Sequence, residues 1–482
     1  MRLPTSARRW AARGSAAAVF LLAAGGGTQA IAASQASPAA GPASAPVSNP
    51  YSPAYHHPYR HGVVPTVAQA RRMKAWASQH PGAGPITGTH ASGPNDLAYG
   101  GGVDGIGVTT GHEKVYLVFY GSQWGSQGTN SSGDVTLSGD ASGEAPYLQE
   151  FFKGLGTSGE LWSGVMTQYC QGVAAGAESC PASNAQHVAY PTGGALAGVW
   201  VDEGAASPAK ATGHQLGVQA VDAAAHFGNT TAASNRDAQY FILSPTGTDP
   251  DMYQEQGFCA WHDYNGDSTL SGGAVTSPYG DIAFTNLPYV TDVGASCGAD
   301  FVNPTGTLDG VSIVGGHEYA ETITDQNPAG GWLDSFGNET ADKCAWISPG
   351  TSGGAFNLTT STGAFAVQTT WANDANGGAG TCEGSHPIVS NGSGHTVTVT
   401  NPGSQSSKKG KKVSLQIHAT DSASGQKLTY HASGLPRGLS IKSSTGLISG
   451  TPSKTGTSKV TIKVTDPTGA SGSASFTWKI HT

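Results

Sequence analysis

Two short runs, KVYLVFYG (Lys114 to Gly121) and AQYFILSP (Ala238 to Pro245), are almost continuous in branched and aromatic residues, which predicts strands. In APYLQEFFKGL and GHQLGVQAVDAAAHFG the apolar residues recur at helical spacing and end at glycine, so both segments read as helices. A further helix, opened by Pro65, is predicted from about Thr66 to Gln79. This mixture predicts an α+β domain over 105–392, preceded by an N-terminal helix and linker over 64–104. From His395 the pattern changes to short alternating segments, among them TVTVTN, KVSLQIHAT, SKVTIKVTD and SFTWKI, separated by Gly, Ser, Asn and Pro. That spacing predicts an antiparallel β-sandwich over 395–482.

One helical stretch carries polar groups where apolar ones belong. In GVSIVGGHEYAETITDQNP, Ile313, Val314, Ala320 and Glu321 all fall within about 60° of His317 on a helical wheel, so His317 and Glu321 share the apolar stripe. A carboxylate buried there needs a counter-charge, hydrogen-bond donors or a metal. His317 and Glu321 are one turn apart and can converge on one ion, while Glu318, about 100° round, can reach a metal-bound water.

The stretch resembles the HExxH helix of zincin metallopeptidases, with glutamate in place of the second histidine. Downstream, GGWLDSFGNETADKCAW is similar to the Asn-Glu context of gluzincins. That resemblance implies Glu339 as third zinc ligand and Asp342 as the partner orienting His317. Asp325 is the rival third ligand; it lies roughly 12 Å from His317 along an unbroken helix, so it joins only if the helix ends early, near Gln326 before Pro328. The implied chemistry is peptide hydrolysis: Zn²⁺ held by His317, Glu321 and Glu339 polarises a peptide carbonyl and Glu318 acts as general base. The competing reading is a non-catalytic extracellular or wall-binding protein with a degenerate zincin-like domain.

A second resemblance covers about residues 112 to 390: VYLVFYGSQWG, YFILSP, GFCAWHDY, LDGVSIVGGHEYAETITD and GNETADKCAW are similar to the phosphate-induced, EXORDIUM-like family of secreted cell-wall proteins. It implies secretion and fold more than chemistry. In the tail, GLPRGLSIKSSTGLISGTPSKTG followed by VTD resembles the Ig-like, cadherin-like modules appended to secreted bacterial proteins, which implies an adhesion or spacer role. Some relatives of that kind bind calcium, but Asp421 and Asp466 are the tail's only acidic residues, too few for a carboxylate cage. The stretch from His262 to Gly273 opens like a calcium loop, yet Ser268 and Ala274 stand where glycine and glutamate are needed, so it reads as a polar hairpin turn. His262 reads as a hydrogen-bonded structural histidine or a donor beside the metal.

Composition adds the compartment. Four arginines followed by an apolar, small-residue run ending at Ala30-Ile31-Ala32 form a signal-peptide pattern over 1–33, and the Ala/Ser/Pro-rich stretch 34–63, including HHPYRH, reads as a disordered leader. Six cysteines in an exported chain predict three disulfides, with Cys170–Cys180, Cys259–Cys297 and Cys344–Cys382 as the sequential pairing among those possible. Residues 34–394 carry 9 basic against 30 acidic residues, and residues 395–482 carry 11 against 2. The acidic body argues against nucleic acid as a partner, and the basic tail is suited to anionic wall polymers. No stretch after the signal reaches the length of a membrane span.

Overall fold

The computed structural model describes residues 50–51, 62–80, 96–180, 185–389, 397–421, 427–465 and 471–482. The signal peptide, HHPYRH and nearly all of the leader lie outside them.

The body is organised by β1 (Val63–Pro65), α1 (Val67–Gln79), β2 (Lys114–Tyr120), α2 (Glu144–Gly154), α3 (Trp162–Met166), β3 (Leu196–Asp202), α4 (Gly213–His226), β4 (Ala238–Leu243), β5 (Phe258–Tyr264), β6 (Ala283–Leu287) and α5 (Asp309–Thr324). The six strands form one sheet in the order β1-β5-β6-β4-β2-β3. Strands β3, β2, β4 and β6 run parallel to one another, while β5 and β1 are each antiparallel to the preceding neighbour. The body is thus a mixed α/β domain whose sheet is parallel from β6 to β3 and antiparallel at the β1-β5 end. The reason is visible in β4, whose six residues are all buried: a strand covered on both faces has no polar side and reads as a continuous apolar run.

Alternation along the strands feeds two cores. Leu117, Phe119, Phe241 and Leu243 pack on the side of α2, α3 and α5, and Tyr116, Val118, Tyr240 and Ile242 pack against α4. Phe152 of α2 sits with its ring 4.9 Å from that of Phe241 and 5.9 Å from that of Tyr319. Burying each such aromatic contributes about 1.5–3 kcal/mol.

Helix α5 is buried along its whole length, on every face, so the single apolar stripe inferred from the sequence understates its burial. It lies beneath α2 and α3 and beside β5 and the strand Ala364–Val367. The approach is close because Gly315 and Gly316 have no Cβ: one added there would come within 3.2 Å of Leu148 and of Phe151 respectively. The helix ends at Thr324, two residues before the expected Gln326, and Asp325 leaves helical geometry.

Three disulfides join Cys170–Cys180, Cys259–Cys297 and Cys344–Cys382, in the sequential order. The second ties β5 to the segment leading into α5. Helix α1 forms as the Pro65 signal suggests, capped by the Thr66 hydroxyl on the Gln69 amide. Just before it, β1 pairs with β5 at the edge of the body's sheet.

The C-terminal region has its own core of Ile417, Ile448, Val460, Ile462, Val464, Phe476, Trp478 and Ile480. A four-stranded sheet and a three-stranded sheet supply it. The expectation of a purely antiparallel sandwich is corrected at one pair: Gln405–Lys408 runs parallel to the last strand, Ser471–His481. Among the described residues no helix is long and apolar enough to cross a membrane.

Candidate metal centre

Helix α5 presents His317, Glu318 and Glu321 to a pocket of polar groups between β5 and the segment 339–342, and all three are fully buried. The Nε2 atom of His317 lies 3.0 Å from Oε1 of Glu321 and 3.7 Å from Oδ1 of Asp342. These three groups offer ligand atoms within 4.8 Å of one another, enough to hold one cation. The 342 backbone amide donates to Glu321 Oε1 at 2.9 Å, and Asp342 in turn accepts from the Glu339 amide at 3.1 Å, so the short helical turn after Glu339 fixes both carboxylates.

The tautomer of His317 follows from its other side. Gln368 donates through Nε2 to the carbonyls of Ala341 and Thr369, at 2.7 and 3.3 Å, which leaves its Oε1 facing His317 Nδ1 at 3.0 Å. His317 therefore donates from Nδ1, which turns Nε2 toward Glu321 and Asp342, where it can ligate a cation once unprotonated. Sequence reasoning gave this orienting role to Asp342; the structure gives it to Gln368 and puts Asp342 on the ligand side. Nothing in the sequence around Gln368 announces that part.

Glu339 sits elsewhere in the pocket. Its Oε2 is 3.0 Å from Nε2 of His262, which projects from β5 and is also 3.9 Å from Oε2 of Glu321. His262, Glu318 and Glu321 form a second group able to hold a cation. Gly62, just before β1, covers the His262 ring: its φ is +68° and an added Cβ would lie 2.0 Å from His262 Cδ2. Asp325 faces away, accepting from the amides of Ala329 and Gly330 at 2.9 and 3.0 Å and from that of Gly331. Its oxygens anchor the loop that Pro328 enters, and it supplies nothing to either group.

Burial dominates the electrostatics. It pushes the Glu318 and Glu339 carboxyls well above the usual range, with Glu321 adding repulsion to both, and raises Asp342 to about 8. At His317 burial opposes the charge, but Glu321, Asp342 and Gln368 together outweigh it, so its pKa is raised. Oε2 of Glu321 and Oε1 of Glu339 are buried without a hydrogen-bond partner, and Glu318 meets only the Val64 backbone. Buried acceptors left this way are costly unless a cation is shared among them.

The calcium-like stretch after His262 is a turn between β5 and β6. Asn265 bonds the Val275 carbonyl and the Ile282 amide, and Asp267 accepts from the Thr269 amide.

Comparison with known proteins bears on the tail. Residues 395–481 match the family model described as "Putative Ig domain". The serine-rich adhesin for platelets of Staphylococcus aureus is 40% identical over 83 residues, which is 17% of this chain and 4% of the adhesin. The same adhesin from strain MRSA252 is also 40% identical over 83 residues, 6% of its length. The chain thus spans a small fraction of the curated relatives it matches. Among solved structures, the extracellular cadherin domains 1–5 of protocadherin gamma B2 align at 18% identity over 25% of this chain and 22% of that one, with a TM-score of 0.16. The PKD domain from human KIAA0319 aligns at 13% identity over 18% of this chain and 80% of that one, with a TM-score of 0.15.

Proposed function

We propose that this chain is an extracellular surface-binding protein whose Ig-like module supplies adhesion and whose body is a disulfide-braced domain organised around a buried metal centre. The observation that carries the reading is the 40% identity of the module to a stretch of proteins named as adhesins. Three disulfides suit an oxidising compartment. The module's excess of lysine favours anionic wall polymers as the surface it contacts. The test is retention of the full mature chain, and of a chain ending at residue 394, on purified anionic cell wall. Equal retention of the two would remove the adhesion assignment.

A second reading, a zincin-like, zinc-dependent peptidase, is favoured by one observation: the buried Glu318 carboxylate has no side-chain hydrogen-bond partner beside His317 and Glu321, where a general base is required. Zinc suits a donor set of imidazole and carboxylate. The burial of the site means that peptide would enter only after β1 and Gly62 move away from His262. Peptide hydrolysis by the purified chain that Glu318→Gln lowers by at least ~10² would support it; no hydrolysis of a broad peptide library would leave the binding role alone.

A further inference from the structure

The pocket holds more than one zinc-binding set of groups requires. We propose that the body binds two divalent cations bridged by Glu321, an inference that rests on the metal-centre reading above. Glu321 stands between two imidazoles: its Oε1 is 3.0 Å from Nε2 of His317 and its Oε2 is 3.9 Å from Nε2 of His262. One cation takes His317, Glu321 Oε1 and Asp342. The other takes His262, Glu321 Oε2 and Glu318, with Glu339 Oε2 a further donor 3.0 Å from His262 Nε2. Each half has its own histidine, and a carboxylate with one oxygen turned to each half is the usual link in paired-metal sites.

Charge supports the count. Ionised, as they must be to ligate a cation, Glu318, Glu321, Glu339 and Asp342 place four negative charges in a pocket in which only Asp342 is partly exposed. One divalent cation leaves two of them uncompensated in the interior, whereas two cations balance all four. The nearby bases are engaged elsewhere: Lys343 holds Asp334 and lies over the Trp371 ring, and Arg236 bonds Gln326, Val108 and Gln171. Carboxylates with one imidazole per cation suit Zn²⁺, Mn²⁺, Fe²⁺ or Co²⁺ over softer ions. Glu318 then acts as a ligand of the second cation.

The full mature chain, purified without chelators, is stripped and reloaded with Zn²⁺ or Mn²⁺, and the bound metal is counted by mass spectrometry. Two equivalents per chain are expected, falling to one in His262→Gln and to one in His317→Gln. The dimanganese form should give an exchange-coupled electron paramagnetic resonance spectrum, a readout that needs no variant. One equivalent, lost in His317→Gln and kept in His262→Gln, with an uncoupled spectrum, would overturn the second cation while leaving the single-metal reading intact. No bound metal would overturn both.

Discussion

Replacing Gln368 with leucine removes the group that orients His317 while keeping side-chain size. Three hydrogen bonds are lost, at 3.0, 2.7 and 3.3 Å. His317 Nδ1–H and the Ala341 carbonyl are left buried without those partners. Each orphaned buried group costs about 1–3 kcal/mol, so the fold should lose roughly 2–6 kcal/mol. At about 2–4 °C per kcal/mol for a domain approaching this size, Tm should fall by roughly 5–20 °C. Because the imidazole is then free to turn, metal affinity should fall about 10- to 100-fold. Gln368→Glu separates the two effects: it retains an acceptor for His317 but loses both donors, so stability should drop while affinity is largely kept. Thermal melts followed by near-ultraviolet circular dichroism, with and without Zn²⁺, and a competition titration with a chelating dye measure both quantities. A Gln368→Leu protein with wild-type Tm and affinity would refute the assignment of this residue.

Non-reducing mass spectrometry should find no free thiol, and Cys344→Ser with Cys382→Ser should cost about 4 kcal/mol, from the 38-residue loop the bridge closes. Glu144 at the start of α2 has its carboxyl pushed up to about 8 by burial, against hydrogen bonds from Thr291 and Val290. A raised carboxyl favours the folded state below its unfolded value of about 4.3, and that contribution is lost as pH rises through about 8. Wild-type Tm should therefore fall relative to Glu144→Gln across that window, and parallel Tm curves would contradict the shift. Residues 395–482 alone should remain folded in EDTA, with Trp478→Ala costing about 3–5 kcal/mol because its side chain is buried in the module's core; a β-sheet circular dichroism signal that needs millimolar Ca²⁺ would count against this.

How much could be read from the sequence depended on whether the deciding contact was local. Helices α1, α2 and α4 and strands β2 and β4 follow directly from local spacing and stop signals, and α5 carries His317, Glu318 and Glu321 at a spacing that declares their convergence. The partners that complete the pocket come from afar. His262 reaches it from an interior strand whose residues are all buried, so no alternation marked its direction. Gln368 is a neutral amide fifty-one positions from His317, and no periodicity links them. Asp342 and Glu339 were in view, but which of them faced which histidine depends on the tight turn after Glu339, where the Asp342 amide caps Glu321. Most of the tail was legible because its strands alternate in plain view, whereas the parallel pairing of the strand at Gln405 was not, since its partner is the chain's last segment.

The edge strand Val63–Pro65 has a bearing on where the pocket can be filled. Val64 pairs with Ala260, almost two hundred residues further on, and Gly62 closes over His262 only when that pairing exists. An early segment with so distant a partner cannot settle until the intervening chain has folded, since long-range closure comes late. The histidine half of the pocket thus stays open through most of folding and shuts at its end. Under the two-cation proposal, uptake is therefore fastest before that closure, and reloading of the folded chain waits on β1 and Gly62 opening away from His262.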